Sequence, residues 1–451
     1  MPLQLQGVTM KPYPYQNAGA QYLADSPRAA LLDQQGLGKT VQAIVASDIV
    51  KAARVLVIAP AIVLANWEHE FGMWAPWRIC ERLRTGKSKL TGADVHIVSH
   101  SLIRNPDMLE QLANEQWDVV IVDEAHAFKS VQAARTKALY GNLGIAKSTE
   151  YLWILTGTIM PNNASELYTH MLHMAPDACR APSGRLISIR EWETRYCEVE
   201  ETRFGRRVIG NKRESLPELR AMLKGCSLRR LKADVLPDLP ESRTAVVPLP
   251  APSRSKLAPL TKLLEEISEK IGTDISKLSG ADLIDAIRGS AEYSTYRRMC
   301  GEIKCDLAVD YVLEELRGGD SKIVVFAHHT SVISRMVEAL ADYGVVSVTG
   351  STSADARQQA VRDFQTKDGV RVFVGQTVAA GVGITLHASS DVIIVEPDWT
   401  PGNNSQAADR VHRIGQRNAV LVRYLAMADS IDEQIVEALA RKERMIREVQ
   451  S

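Results

Sequence analysis

Residues 33–40 of this 451-residue chain read Asp-Gln-Gln-Gly-Leu-Gly-Lys-Thr. The run follows an apolar strand-like segment and opens a helix, the context in which a loop can cradle phosphates. Gly36 and Gly38 let the backbone approach, Lys39 can reach the β and γ oxygens, and Thr40 can ligate Mg²⁺. Asp33 replaces the leading glycine of the general pattern. Residues 119–122 are all Val or Ile and end in Asp123-Glu124-Ala125-His126. An acidic pair at the C-terminal end of a parallel strand would lie beside the phosphate loop. Asp123 would hold Mg²⁺ through water, Glu124 would orient and deprotonate the attacking water, and His126 would link hydrolysis to the neighbouring strand. Far along the chain, residues 409–416 place Arg410 and Arg413 three apart, on the same side of a helical turn. Arginines that neutralise a phosphoryl group in transfer contribute about 10³–10⁵ in rate. With these groups on opposite halves of the chain, it could close on ATP and open after hydrolysis.

Elements must position those groups. Short β-branched runs recur at 29–32, 55–59, 95–98, 119–122 and 152–155, then at 323–326, 346–348, 370–374, 392–395 and 420–424. Each is followed by a polar or helical stretch, which predicts parallel sheets buried on both faces. The expected fold class is α/β, with two doubly wound parallel-sheet domains, 1–240 and 241–451. Asp238-Leu239-Pro240 and the Pro-rich 248–252 are the linker candidates. A helical insertion is expected over about 166–236, a second helical stretch over about 255–316, and an amphipathic helix at the end. Lys+Arg and Asp+Glu both number 54, so any nucleic-acid binding must use local basic surface. Six cysteines without a CxxC pair read as free thiols in a reducing compartment. No apolar run is long enough to span a bilayer, and no signal pattern opens the chain.

At these residues the chain resembles a Swi/Snf-type DNA translocase of helicase superfamily two, built on two RecA-like lobes. Pro14-Tyr15-Gln16 matches the adenine-recognition motif, with Gln16 reading the adenine edge. VLVIAPAIVLANWEHEF, LTGTIMPNNASEL, VTGSTSADARQQAVRDF and TVAAGVGITL match further motifs, and DWTPGNNSQAADRVHRIGQ is the most specific stretch. The runs LRRLKADVLPDLP and VFAHH resemble the annealing-helicase, fork-remodelling branch. The resemblance implies ATP and Mg²⁺ as cofactors, with Tyr15, Gln16, Gly36, Gly38, Lys39, Thr40 and Gln406 on the nucleotide. It implies double-stranded or branched DNA as the partner, with a DNA-bound protein as a further candidate, and a cytoplasmic monomer of bacterial or viral origin working without a membrane. DNA would be gripped through its phosphates by loops at strand ends, with Ser99, His100, Thr156, Gly157, His328, His329, Thr377 and Trp399 as candidates. Arg203, Arg206, Arg207, Lys212 and Arg213 form an acid-free run that Gly205 and Gly210 would fold into a hairpin over DNA. Asp-Glu-Ala-His alone also permits a strand-separating helicase. The same motor could also strip a polymerase or other protein from DNA. Gln34-Gln35 in place of Glu-Met, Ile159 in place of proline, and Ala380 and Thr385 in place of glycine and asparagine depart from the family pattern.

Overall fold

The computed structural model describes residues 11–147, 149–157, 159–160, 163–202, 205–278, 280–319, 321–380, 384–428 and 430–450. The chain divides into two compact α/β units, Met1–Leu236 and Pro237–Ser451.

The first unit is built on seven parallel strands: β1 (Arg28–Leu31), β2 (Val55–Ala59), β3 (Cys80–Arg82), β4 (Val95–Ser99), β5 (Val119–Asp123), β6 (Tyr151–Leu155) and β9 (Ser227–Leu228). β7 (Cys197–Thr202) and β8 (Gly205–Asn211) form a separate antiparallel hairpin. The sheet order is β3-β4-β2-β5-β6-β1-β9. One strand, β6, therefore separates the strand that feeds the phosphate loop from the strand that ends in Asp123. The helix α1 (Pro14–Ala24) precedes β1, and α2 (Lys39–Ile49) follows the loop. Val- and Ile-rich strands form here because both faces are covered: β2 and β4 are buried at every position.

The second unit carries β10 (Ser242–Leu249), β11 (Ile323–Ala327), β12 (Val345–Val348), β13 (Val372–Gln376), β14 (Asp391–Ile394) and β15 (Val420–Met427), all parallel, in the order β10-β15-β14-β11-β13-β12. The two-residue period of a strand sends Val324 and Phe326 into one core and Ile323, Val325 and Ala327 into the other. Pro248, expected in a linker, lies inside β10 opposite Ala426. β10 is an edge strand, where a residue without an N–H leaves the ladder intact. A third core gathers the helices Arg254–Ile271, Gly280–Arg288, Tyr293–Arg317 and Ile431–Gln450.

The insertion is less purely helical than expected. Its helices flank the β7–β8 hairpin, and β7 supplies what the basic run lacks. Glu200 stands opposite Arg207 and Glu201 opposite Arg206 in the antiparallel register. Among the described residues no helix is long and apolar enough to cross a membrane.

Near the third core Lys304 is buried against Asp432, 2.8 Å away, and also donates to the Leu425 carbonyl at 3.0 Å. Asp432 accepts from the Met427 amide at 2.9 Å. Lys304→Ala leaves a buried carboxylate without its cation, so unfolding free energy should fall by about 3–5 kcal/mol. Urea denaturation followed by circular dichroism measures this, and a loss below about 1 kcal/mol would mean that water replaces the ammonium.

Candidate nucleotide site and nucleic-acid contacts

The phosphate loop leaves β1, turns through Gly36 (φ 87°) and Gly38 (φ 71°), and enters α2 at Lys39. Both glycines sit in the left-handed region that disfavours a side chain. Gly38 is also close-packed, since a Cβ there would lie 2.4 Å from Gln16 Nε2. Lys39 Nζ donates to the Asp33 carbonyl at 2.7 Å, spanning the loop, and Thr40 follows it on the first turn of the helix.

Tyr15 and Gln16 open α1 directly over this loop. The Gln16 amide accepts from the Tyr13 N–H at 2.9 Å and donates to the Leu37 carbonyl at 3.3 Å. The Tyr13 and Tyr15 rings stack with centroids 5.8 Å apart. Burial pushes the Tyr15 hydroxyl up to about 12.

Asp123 ends β5 as a half-buried carboxylate. Its Oδ2 accepts from the Trp67 indole at 2.8 Å and its Oδ1 from the Glu124 amide at 2.9 Å. Burial pushes its pKa up to about 6, and the adjacent Glu124 adds to this. The Trp67 hydrogen bond and the nearby Lys39 ammonium pull the other way. A partly desolvated carboxylate with its pKa raised gains from a divalent cation beside it. Among the described residues no three His, Cys, Asp or Glu are grouped to hold a metal. Mg²⁺ needs no such cage, because phosphate oxygens and water supply most of its octahedron. Thr40 and Asp123 therefore fit as its protein contacts.

Glu124 adopts φ 47°, ψ 50°, a conformation rare for a residue with a side chain. Histidines brace this segment from two sides. His126 Nδ1 lies 3.3 Å from Glu124 Oε2 and 3.4 Å from Thr156 Oγ1, at the end of β6. His100 Nε2 lies 2.9 Å from the Asp123 carbonyl. Because that carbonyl only accepts, the His100 Nε2 carries the proton. Burial pushes the ring's pKa down to about 4, so it is neutral at ordinary pH.

Several expected DNA contacts face inward instead. His100 is spent on Asp123. Thr156 Oγ1 meets His126, and Thr377, 1% exposed, donates to the Ala327 carbonyl at 3.1 Å. Ser99 Oγ is buried near Ser101 Oγ and accepts from the Leu102 amide. Trp399, 5% exposed, packs edge-on against Tyr293 with centroids 5.0 Å apart. The physical reason is shared: hydroxyls just beyond a parallel strand satisfy neighbouring polar groups, and a large indole closes a core. His328 stays half-buried, while His329 pairs with Glu396 at 2.7 Å. Arg206 donates to Thr194 Oγ1 at 2.8 Å. Arg203 and the Arg207 side chain lie outside the described residues.

In the second unit, Arg410 and Arg413 lie on the turn after the helix Pro401–Ala408, not on one helical face as expected. Arg410 Nε donates to the Gln406 carbonyl at 3.2 Å. Arg413 Nη1 donates to the Ile384 carbonyl at 2.9 Å and to Thr385 Oγ1 at 2.8 Å. Thr385, which departs from the family's asparagine, thus supplies an acceptor. Gln416 Nε2 donates to the Ser389 carbonyl at 2.6 Å, and His412 Nε2 lies 2.8 Å from the Pro240 carbonyl. These two brace the turn that carries the arginines.

The SNF2-related domain matches residues 15–258, and the helicase conserved C-terminal domain matches residues 304–415. The chain belongs to the SNF2-related family. Among its SNF2-related relatives is the Xenopus tropicalis SWI/SNF-related matrix-associated actin-dependent regulator of chromatin subfamily A-like protein 1, 30% identical over 443 residues. That alignment covers 96% of this chain and 44% of the relative. Another is the Bos taurus DNA annealing helicase and endonuclease ZRANB3, 30% identical over 443 residues, covering 95% of this chain and 40% of the relative. The likeness to the annealing-helicase branch therefore holds, and the chain spans less than half the length of these relatives. The Sulfolobus solfataricus SWI2/SNF2 ATPase core in complex with dsDNA aligns with TM-score 0.46 and 23% identity, covering 100% of this chain and 95% of that one.

Sequence reasoning missed Trp67 as the indole on Asp123, and it assigned Arg229 and Arg230 no definite role. Arg229 Nη1 donates to the Leu32 carbonyl at 3.2 Å, at the mouth of the phosphate loop. The only available signal was the family stretch around each residue, since neither stands in a self-evident catalytic pattern.

Proposed function

We propose that this chain is a DNA-stimulated ATPase that moves along double-stranded DNA and remodels DNA or protein–DNA complexes without processive strand separation. The observation that carries the reading is the meeting of Lys39 and the half-buried Asp123 at one end of a parallel sheet, in a chain of the SNF2-related family. Two relatives bear names that refer to chromatin regulation and DNA annealing, which supports DNA as the substrate on which the work is done.

The roles proposed follow the chemistry of each group. Tyr15 and Gln16 take the adenine. The N–H groups of residues 36–40 and Lys39 take the phosphates, with the start of α2 favouring negative charge. Mg²⁺, held by Thr40 and Asp123, would offset charge on the β and γ oxygens. Glu124 accepts the proton of the attacking water, and Arg410 and Arg413 neutralise charge on the transferred phosphoryl group while Gln406 assists at the nucleotide. DNA contact is assigned to backbone and side chains near His328 and Arg206, by phosphate contacts that ignore sequence. DNA binding stimulates turnover if it favours the hydrolysing state over the idle one.

Steady-state ATPase is measured with no nucleic acid, single-stranded DNA, duplex DNA, forked DNA and RNA in turn. Strong stimulation by duplex and forked DNA is expected. Stimulation by single strands or RNA alone would replace this reading with a strand-separating helicase.

A further inference from the structure

Arg230 sits near the end of the first unit, yet grips the phosphate loop 197 residues earlier in the chain. Its Nε and Nη2 meet the Asp33 carboxylate at 3.0 and 2.5 Å, a two-pronged pair that fixes orientation as well as distance. Asp33 is fully buried at the position where the general phosphate-loop pattern has glycine. The same guanidinium donates through Nη1 to the Tyr15 carbonyl and through Nη2 to Gln42 Oε1 at 2.6 Å. It also lies over the Tyr15 ring, 5.3 Å from the centroid.

Gln42 completes the circuit. Its Nε2 donates to Asp33 Oδ2 at 3.0 Å and to the Leu37 carbonyl at 3.2 Å, the carbonyl that also receives Gln16 Nε2. Gly19 on α1 makes room for the arrangement. A Cβ there would stand 1.8 Å from Gln42 Oε1 and 2.6 Å from Arg230 Nη2. One side chain thus ties the turn that opens α1 to the loop that opens α2.

We propose that Arg230 is a positioning residue that sets the distance between the adenine-reading turn and the phosphate loop, and so sets selectivity for adenine over guanine nucleotides. The inference rests on the nucleotide-site reading above. Phosphate contacts are common to ATP and GTP. Only the reader of the purine edge tells them apart, and a polar reader discriminates strongly only when held in register with the rest of the ligand. Arg230 also supplies the cation that keeps the Asp33 carboxylate from repelling the triphosphate.

The test compares wild type, Arg230→Ala, Arg230→Lys and Gly19→Ala, with kcat and KM measured for ATP and for GTP at saturating duplex DNA. Losing charge-assisted bonds of this kind should raise KM for ATP about tenfold or more in Arg230→Ala and shrink the ATP-over-GTP preference in kcat/KM by about tenfold. kcat for ATP should stay within about threefold, because Arg230 touches no reacting atom. Arg230→Lys, which keeps the charge and loses the fork, should fall between. Gly19→Ala keeps every charge and favours the helix, so it carries the test if Arg230→Ala fails to fold; its ATP preference should also shrink. Unchanged KM and preference, or equal losses for ATP and GTP, would overturn the proposal. Lys39→Ala is assayed alongside. If that variant still turns over ATP, the nucleotide-site reading itself fails; if it is inactive while Arg230→Ala matches wild type, only the role of Arg230 does.

Discussion

Lys39→Ala should abolish ATP turnover while leaving the protein folded. Lys39 begins α2 half-buried, and its Nζ donates to the Asp33 carbonyl at 2.7 Å. Alanine is the best helix former and truncates no core side chain here, so the melting temperature should move by only a few degrees. The chemistry loses far more. The ammonium is the cation expected to meet the β and γ oxygens, and removing one preorganised group of this type costs about 10²–10³ in rate. A coupled ATPase assay with duplex DNA, paired with a thermal melt, measures both halves. A folded Lys39→Ala protein with normal turnover would sink the assignment of the whole site.

Glu124→Gln is the second large effect, and it should separate binding from chemistry. Glutamine matches glutamate in size and can still bond His126, 3.3 Å from the carboxylate, so the left-handed turn at φ 47° should persist. Basicity is what disappears. Loss of a general base costs about 10²–10⁴, so kcat should fall by that factor while nucleotide affinity is kept. Equilibrium binding of a fluorescent nucleotide and single-turnover hydrolysis check the two parts. Wild-type hydrolysis by this variant would mean that another group takes the water's proton.

The elements that position these groups were largely legible. Continuous Val and Ile runs such as 55–59 and 119–122 have one comfortable home, a strand covered on both faces, and the loop at 33–40 declares its own conformation through its glycines. What stayed hidden was long-range. β9 is two residues long and pairs with β1 from the far end of the unit, so no local period reports it. Pro248 looked like linker because its tolerance on an edge strand depends on which strand is at the edge. Thr377 and Trp399, expected on strand-end loops against DNA, instead open a helix and close a core, with side chains against the Ala327 carbonyl and Tyr293. Position follows from pattern, whereas the choice between solvent and core depends on neighbours distant in sequence. The basic run at 203–213 lacked acids only along the chain; across the hairpin Glu200 and Glu201 face it.

The pairing of β9 with β1 has a consequence for the order of synthesis. Leu32 N donates to the Leu228 carbonyl, Gln34 N to the Arg230 carbonyl, and Arg230 closes on Asp33. A nascent chain on the ribosome therefore holds a phosphate loop without its clamp until some two hundred further residues have emerged. Translation that stops before Ser227 would release a fragment carrying every glycine and lysine of the loop, with a buried aspartate still awaiting its arginine. Such a product would expose the β1 edge to other chains, a known route to aggregation.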